Sequence, residues 1–306
     1  MKKIILLIVL TIAVMTTATA QTLIEQGYCG DAITYEYYDD NSLVISGSGE
    51  MYDYEDYYEL PWYDYRLNIK TIKVEEGVTS LGYNAFSVCE SLISISLPDG
   101  LLTIRERAFN GCFSLPAITI PQSVRNMGVR VFNCCHKLNY ISLPDGLTVF
   151  HEGLFKECNS LVSITLPKYL TEIGEFAFWY CDALKSIIVP EKVKEIKENA
   201  FADCFALASI RLSEGLEIIG QYAFNGCSSL AFLSIPASVT QIGNNAFSET
   251  GIKELLVEAS IPPNITSYSL LDLSSDTVVY VPDDSYDLYL TKWSAIASQI
   301  RRMSEF

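Results

Sequence analysis

The chain has 306 residues, 21 of them basic and 37 acidic, so its formal net charge at pH 7 is -16. A chain this acidic is unsuited to binding nucleic acid or anionic membranes by charge, and we expect neither as a partner. About half of the residues (49%) are apolar and 19% are charged. That composition is typical of a folded protein with a large core and excludes a largely disordered chain.

Residues 1–20 have the pattern of a secretory signal peptide. Two lysines precede an apolar run over residues 4–15, and Ala18 and Ala20 place small residues at the positions that a signal peptidase reads. Cleavage is expected before Gln21. The apolar run is short for a membrane span, and no second long apolar stretch follows it. The sequence therefore predicts a secreted or cell-surface protein with no transmembrane segment in the mature chain.

A β-hairpin is predicted within residues 21–68. Apolar and polar residues alternate on both sides of the turn signal at residues 39–42, as they do in a two-stranded hairpin. The alternating apolar positions are Ile33, Tyr35, Tyr37, Leu43 and Ile45.

The segment Glu50 to Tyr65, called here the tyrosine-rich segment, is dense in aromatic and acidic side chains. Tyrosine rings offer stiff amphipathic contact area, so the segment is a candidate for gripping a protein or stacking on sugar rings. Tyr57 and Trp62 are the candidate contact residues. Its carboxylates are of the type that binds calcium, but the ordered spacing of an EF-hand loop is missing. The alternative interpretation is structural, with half-buried rings and solvated acids.

Phenylalanine recurs every 23 residues through most of the chain. The eight positions are Phe86, Phe109, Phe132, Phe155, Phe178, Phe201, Phe224 and Phe247. A cysteine stands three residues after seven of them, at Cys89, Cys112, Cys135, Cys158, Cys181, Cys204 and Cys227. Only 14 of the 306 residues are phenylalanine, so chance does not explain this spacing. A fixed period with several columns in register predicts a repeat array.

Within one repeat the apolar pattern changes its period. Ile187 and Val189 alternate with polar or exposed positions as in a strand, and a proline follows. Ile173, Ala177 and Phe178, with the cysteine three residues later, are spaced as on one face of about two helical turns. One such unit buries too little apolar surface to fold alone, so neighbouring units must stack. The pattern predicts a solenoid over residues 69–250 with one long parallel sheet. The repeated cysteines are expected to pack as small buried hydrophobes, and disulfides between neighbouring coils of an exported protein are the alternative.

The unit C-x-x-L-x-x-I-x-L-P-x-x-L-x-x-I-x-x-x-A-F resembles the leucine-rich repeat of BspA-like bacterial surface proteins. The resemblance covers residues 69 to about 250 and extends to the flanks, where Pro61-Trp62 and residues 277–282 look like that family's lead-in and closure. It implies an α/β fold, a right-handed leucine-rich repeat solenoid with a parallel β-sheet on one face, capped at both ends. Members are typically exported and are implicated in adhesion, so the resemblance also implies a binding role.

Two surfaces of the predicted array carry candidate ligand contacts. The outward side of the strand ladder is mostly small and hydroxylic, and Tyr140, Phe232 and Arg211 are its candidate contacts. Elsewhere, five basic residues and one acidic residue give residues 100–144 a net charge of +4. Arg107 and Arg130 share one column there and are expected to stack one coil apart. Such arginines suit a carboxylate-rich partner or a sulfated glycan, and solvated scatter is the alternative.

No catalytic or metal-binding pattern is found in the sequence. The cysteine ladder has no C-x-x-C pairing. Cys134 adjoins Cys135 of the ladder and is expected to face another side, either as a reactive or intermolecular thiol or as an idle one. Cys135 and His136 are adjacent and point apart, so they make a poor nucleophile and base. We therefore predict no enzymatic activity, no cofactor and no metal site.

Residues 251–306 are predicted to form a C-terminal cap, as residues 21–68 are at the other end. Open solenoid ends expose apolar surface and unpaired strand edges, so both ends need a cover. An amphipathic helix is predicted from the spacing of Tyr286, Tyr289, Leu290, Trp293, Ile296, Ala297 and Ile300.

The sequence favours an exported, non-enzymatic scaffold for protein–protein interaction or adhesion at the cell surface. Its partner is expected to be a protein or a glycan at an extracellular surface. The alternative is a carbohydrate-capturing surface module that uses the tyrosine-rich segment.

Overall fold

The computed structural model describes residues 21–265 and 273–306, a chain wound into stacked coils. The predicted signal peptide, residues 1–20, lies outside the described residues. Among the described residues no helix is long and apolar enough to cross a membrane.

Most of the regular structure of the described residues is short β-strand. In chain order the strands are β1 (Leu23–Gly30), β2 (Ile33–Tyr38), β3 (Ser42–Gly47), β4 (Gly49–Glu50), β5 (Thr71–Val74), β6 (Val78–Leu81), β7 (Ser94–Ser96), β8 (Thr103–Ile104), β9 (Ala117–Thr119), β10 (Asn126–Met127), β11 (Tyr140–Ser142), β12 (Val149–Phe150), β13 (Glu172–Ile173), β14 (Ser186–Ile188), β15 (Glu195–Ile196), β16 (Ser209–Arg211), β17 (Ile218–Ile219), β18 (Phe232–Ile235), β19 (Gln241–Ile242), β20 (Glu254–Val257), β21 (Asn264–Ile265), β22 (Val278–Val281) and β23 (Ile300–Arg302). The helical segments are α1 (Tyr286–Lys292) and the 3-10 turns Tyr57–Glu59, Asp283–Ser285, Ser294–Gln299 and Met303–Glu305.

The strands line up in two parallel ladders on two sides of the stacked coils, and the coil around Ser163 contributes only an isolated bridge to the front. The front ladder contains β3, β5, β7, β9, β11, β14, β16, β18, β20, β22 and β23, and the rear ladder contains β4, β6, β8, β10, β12, β13, β15, β17, β19 and β21. Residues 23 apart pair directly, for example Ile187 with Ile210 in front and Ile173 with Ile196 at the rear. The 23-residue repeat and its parallel stacking are therefore confirmed.

The two helical turns predicted for each repeat are wrong for the described units. Ile173 lies in rear strand β13, and Ala177 and Phe178 follow in tight turns. The Phe178 amide donates to the Ala200 carbonyl of the next coil at 2.8 Å instead of to its own turn. Helical spacing and this strand-and-turn path both bury the same side chains, which is why the pattern alone did not separate them.

Each coil closes through residues in the left-handed conformation. Two positions per coil have φ between 51° and 73°, and only three of the sixteen are glycine. One column is Asn84, Arg107, Arg130, Gly153, Phe176, Asn199, Tyr222 and Asn245, and the other is Val88, Gly111, Cys134, Glu157, Tyr180, Asp203, Gly226 and Glu249. Bonds to the next coil hold these turns, as between the Arg130 amide and the Glu152 carbonyl. The side chains of each column thus project in series along the array.

The repeated phenylalanines form one continuous stack through the core. Neighbouring rings lie 5.1 to 5.9 Å apart between centroids, and all eight rings are fully or almost fully buried. The repeated cysteines follow the same order. The thiols of six of them donate to the carbonyl of a phenylalanine at 3.2 to 3.3 Å, namely Cys112, Cys135, Cys158, Cys181, Cys204 and Cys227. This geometry supports the interpretation of the ladder as packed thiols.

The predicted hairpin is confirmed, and it continues the front ladder. β2 and β3 pair antiparallel, with Tyr35 opposite Ile45, and β3 pairs parallel with β5. Trp62 lies behind this sheet and stacks on Phe86 with centroids 5.9 Å apart.

The C-terminal helix is shorter than the sequence predicts. α1 ends at Lys292, and Ile300 lies in β23, which pairs with β22. Strand pairing at the end of the front ladder thus takes the residues that helical spacing assigned to the helix. Trp293 and Tyr289 are buried and donate to the carbonyls of Pro263 and Ala259 at 3.1 and 2.7 Å.

Candidate functional site

The outward side of the front ladder presents two columns of side chains. One column contains Tyr140, Ser163, Ser186, Ser209, Phe232 and Glu254, and the other contains Thr165, Ile188, Arg211, Ser234, Leu256, Tyr280 and Arg301. The intervening side chains, such as Ile187 and Ile210, point into the core. Period-two alternation fixes this division, because successive strand residues face opposite sides.

Pairing in the front ladder is interrupted between β7 and β9, between β11 and β14, and between β16 and β18, and the last of these is called here the break. Between the two coils that precede the break, the Val189 amide donates a hydrogen bond to the Arg211 carbonyl at 2.9 Å. The next equivalent bond, from Leu212 to Ser234, is not formed within the described chain. A groove of about 720 Å³ lies at this break. Its lining includes Arg211 and Phe232, so the structure brings together two of the three residues predicted for this face.

A departure from the repeat coincides with the groove. Ser213 replaces the proline found at the equivalent positions Pro190 and Pro236, and it lines the groove. The Ser213 side chain is 7% exposed, and its hydroxyl has no hydrogen-bond partner among the described residues. A buried hydroxyl without a partner is costly, so this group favours a bound donor or acceptor.

The groove is acidic apart from one guanidinium. Glu191, Glu214 and Glu258 contribute three carboxylates to its lining, and Arg211 contributes one cation. The Glu258 carboxylate accepts a hydrogen bond from the Ser234 hydroxyl at 2.5 Å. In residues 21–265 and 273–306 the Arg211 guanidinium forms no hydrogen bond or ion pair. The groove therefore offers a free bidentate donor surrounded by negative charge.

Aromatic side chains extend the groove towards the C-terminus. Phe232 is 42% exposed and lies 6.1 Å from the ring of Phe306, which in turn lies 4.9 Å from Tyr280 edge to face. Exposed aromatic rings next to an arginine are the composition of an interaction hot spot. Tyr280 and Phe306 were not among the residues predicted for this face. The alternation Val279, Tyr280, Val281 was the available signal for Tyr280.

Tyr140 lies on the same column as Phe232 but four coils away. Its side chain is 57% exposed, and Tyr140 pairs with Ala117 in the front ladder. The structure does not bring it to the groove.

Three arginines of the predicted basic region are paired with acids of the same chain. Arg107 lies 3.5 Å from Glu106, and Arg130 forms an ion pair with Glu152. Arg105, from the same region, pairs with two carboxylates of the tyrosine-rich segment. Arg107 and Arg130 do share one turn column, but their paired charges leave little attraction for an anionic partner.

Trp62 and Tyr57 of the tyrosine-rich segment differ in exposure. Trp62 is fully buried, so its predicted role as a ligand contact is corrected: its indole extends the phenylalanine stack. Tyr57 lies at the surface against Tyr58, with ring centroids 4.2 Å apart, and against Tyr63 at 6.1 Å. The Arg66 guanidinium stacks on the Tyr63 ring at 3.7 Å. These groups form an open aromatic platform, in which Tyr58 is 58% exposed.

The buried thiols are poor nucleophiles. Burial raises the pKa of Cys89 and Cys227 to about 12, and it also raises the pKa of the other ladder cysteines. The thiolate is the reactive form, so the ladder offers almost none at neutral pH.

The sequence matches one protein-family model over most of its length. The model described as "BspA type Leucine rich repeat region" matches in six copies, over residues 62–181 and 150–271. No curated protein matches the chain.

Several solved structures are similar in fold. A leucine-rich repeat protein from Bacteroides ovatus is 20% identical, with a TM-score of 0.31 and coverage of 90% of this chain and 99% of that chain. A leucine rich cell surface protein from Faecalibacterium prausnitzii is 18% identical, with a TM-score of 0.37 and coverage of 90% and 93%. The T. pallidum leucine-rich repeat protein is 22% identical, with a TM-score of 0.39 and coverage of 70% and 85%.

Proposed function

The chain belongs to the BspA-type leucine-rich repeat family, and from that premise we propose that it is an exported, non-enzymatic scaffold that binds a cationic segment of another protein. The binding site is the groove at the break in the front ladder. The scaffold is a right-handed solenoid, capped by residues 21–68 and 251–306. The single observation that carries the proposal is the groove itself, where a free arginine, an exposed phenylalanine and three carboxylates meet.

The charge of the chain favours a cationic partner. After removal of residues 1–20, which contain Lys2 and Lys3, 19 basic residues face 37 acidic ones, a net charge of -18. The groove repeats this imbalance locally, with three carboxylates against Arg211. A field of one sign steers an oppositely charged partner to its site and accelerates association.

The groove also supplies anchoring groups. Phe232 and Phe306 offer apolar ring surface to a side chain of the partner. The Arg211 guanidinium remains available for its backbone carbonyls or a carboxylate. A few aromatic and arginine contacts at a site centre supply most of the affinity in protein interfaces.

Binding of defined synthetic peptides tests the proposal. The probe is a short, fluorescently labelled peptide of alternating lysine and phenylalanine, compared with peptides in which glutamate replaces lysine or serine replaces phenylalanine. Fluorescence anisotropy is expected to rank the lysine–phenylalanine peptide first and to weaken with added salt. Phe232→Ala and the double variant Glu191→Gln/Glu214→Gln are each expected to weaken binding about tenfold, about 1.4 kcal/mol.

Tyr140→Ala is the matched control, because it removes an exposed aromatic ring from the same column of the front ladder. It is expected to leave peptide binding unchanged. Equal losses in Tyr140→Ala and Phe232→Ala would place binding on the whole sheet and not in the groove. Preference for the glutamate–phenylalanine peptide would contradict the charge argument. Export is tested separately by sequencing the N-terminus of the protein recovered outside the cell, which is expected to begin at Gln21.

The aromatic platform of the tyrosine-rich segment favours a second candidate function, capture of a carbohydrate. Tyr57, Tyr58 and Tyr63 present ring faces and hydroxyl groups of the kind that stack on sugars. Oligosaccharide binding that is lost in Tyr58→Ala and kept in Phe232→Ala supports this function. Oligosaccharide binding that is kept in Tyr58→Ala and lost in Phe232→Ala would assign binding to the groove.

A further inference from the structure

Three potential metal ligands from two consecutive coils converge at one point on the surface. Cys134 and His136 come from one coil and Glu157 from the next, and their ligand atoms all lie within 4.8 Å of one another. The Cys134 Sγ is 3.4 Å from the Glu157 Oε2, and the His136 Nε2 is 3.9 Å from the same oxygen. All three residues are partly exposed, so an ion from solvent can reach them.

The repeat itself creates this juxtaposition. Cys134 and Glu157 are 23 residues apart and occupy the same left-handed turn position, with φ of 59° and 60°. The Cys134 amide donates to the Lys156 carbonyl at 2.8 Å, and the Glu157 amide donates to the Trp179 carbonyl at 2.7 Å. Both side chains therefore leave parallel turns in the same direction. Neither residue was in a predicted metal site, because the sequence separates the two donors by a full coil.

The histidine is held in place by a ring contact. The His136 imidazole stacks on Phe113 with centroids 4.9 Å apart and planes 2° from parallel. Phe113 occupies the equivalent position one coil earlier. An imidazole fixed in this way loses little freedom when it binds an ion, which favours affinity.

From this geometry we infer that Cys134, His136 and Glu157 form a binding site for a zinc-like divalent cation. Sulfur, nitrogen and oxygen donors together are the ligand set of zinc, whereas calcium and magnesium take oxygen ligands. Tetrahedral zinc with ordinary bond lengths places its ligand atoms about 3.4 to 3.6 Å apart. No observed separation exceeds this range by more than about 1.2 Å, so side-chain rotations that move the ligand atoms by about 1 Å bring them into it.

Neighbouring residues support the ligands. The Asn133 Nδ2 donates to the Cys134 Sγ at 3.3 Å, a contact that orients the sulfur. The Lys156 ammonium lies 3.7 Å from the Glu157 Oε1 and 4.4 Å from the Trp179 ring centroid. One thiolate and one carboxylate together neutralise the charge of a divalent ion. The Lys156 ammonium can therefore keep its place over the Trp179 ring when an ion is bound. A bound ion links two coils at their turns.

Cobalt titration of the reduced protein tests the site, because cobalt is a spectroscopic substitute for zinc. We expect one equivalent of cobalt to produce a thiolate-to-metal charge-transfer band, and zinc to abolish it. Cys134→Ser is expected to abolish the band. His136→Ala and Glu157→Gln are expected to weaken cobalt binding about tenfold or more, as loss of one ligand or its support does. Glu249→Gln removes an exposed acid from the same turn column, so it is the matched control and is expected to bind normally.

Alkylation mapped by mass spectrometry gives a second readout. Zinc is expected to slow the alkylation of Cys134 and to leave the buried ladder cysteines unreactive, as they are without zinc. The inference is overturned if cobalt produces no thiolate band, if the band survives in Cys134→Ser, or if zinc leaves the alkylation of Cys134 unchanged. Circular dichroism of each variant establishes that the coils remain folded, and Glu157→Gln keeps the test valid if Cys134→Ser does not fold.

Discussion

Replacing two neighbouring phenylalanines of the stack by leucine measures the coupling between coils. Phe178 and Phe201 are fully buried, with ring centroids 5.1 Å apart and planes 3° from parallel. Each single change to leucine keeps the position apolar and is expected to lower the free energy of unfolding by about 1 to 2 kcal/mol. The pair also loses one ring–ring contact, so the double variant is expected to depart from additivity by about 0.5 to 1.5 kcal/mol.

A distant pair provides the reference for this coupling. Phe86 lies four coils from Phe178, and the two rings share no contact in the stack. The combination Phe86→Leu/Phe178→Leu is expected to be additive within about 0.5 kcal/mol. Urea unfolding followed by circular dichroism measures all five variants, with the slope of the transition checked for constancy. Equal coupling energies for the near pair and the distant pair would refute nearest-neighbour stacking as the source of stability.

Three further predictions follow from burial. The seven ladder thiols and Cys29 are expected to resist alkylation at neutral pH in the folded protein, because burial raises their pKa. All nine cysteines are expected to react after denaturation. Alkylation of the ladder thiols in the folded protein would contradict the raised pKa. In urea titrations, Trp62→Ala is expected to lower the free energy of unfolding by about 3 to 5 kcal/mol, and the control Tyr58→Ala by about 0.5 kcal/mol or less. Similar losses of unfolding free energy in the two variants would contradict the burial of Trp62. Burial raises the pKa of the Asp182 carboxyl, so its ionised form destabilises the folded state above the pKa of free aspartate. Asp182→Asn is therefore expected to raise Tm at neutral pH and to lose this advantage in acid, and a constant difference across pH would contradict the assignment.

The repeat and the inward residues could be predicted from the sequence because burial imposes a strict period. The repeated phenylalanine, such as Phe178, must face the core in every coil, and any shift of register would expose it. The period does not determine whether the backbone between two buried positions forms a helical turn or a strand. Ile173 is buried whether it lies on a helical turn or on a rear strand, so the second ladder was missed.

The groove could be predicted only in part. Phe232 and Arg211 were candidates because alternation places them on the outer face, and Ser213 was visible as a departure from proline. The break in the ladder depends on backbone bonds between coils, and no residue pattern records their loss. The burial of Trp62 could not be predicted, because an aromatic residue in an acidic segment fits a surface position as well as a core position until its neighbours in space are known.

The cluster of Cys134, His136 and Glu157 depended on the register between coils. Once the period of 23 is known, the residues that neighbour Cys134 across coils follow from the sequence by addition, and Glu157 is one of them. Distances between their atoms do not follow, because they depend on the left-handed turns that aim the two side chains.

Amide hydrogen exchange resolved by residue is the most direct test of the stacked-coil architecture. The amides of Phe86, Phe109, Phe132, Phe155, Phe178, Phe201 and Phe224 each donate to a carbonyl of the next coil. All seven are expected to exchange slowly, whereas the amides of Glu191 and Glu214, which donate no hydrogen bond within the described chain, are expected to exchange fast. Protection that recurs every 23 residues is the predicted result, and protection without that period would contradict the fold on which the groove and the ligand cluster depend.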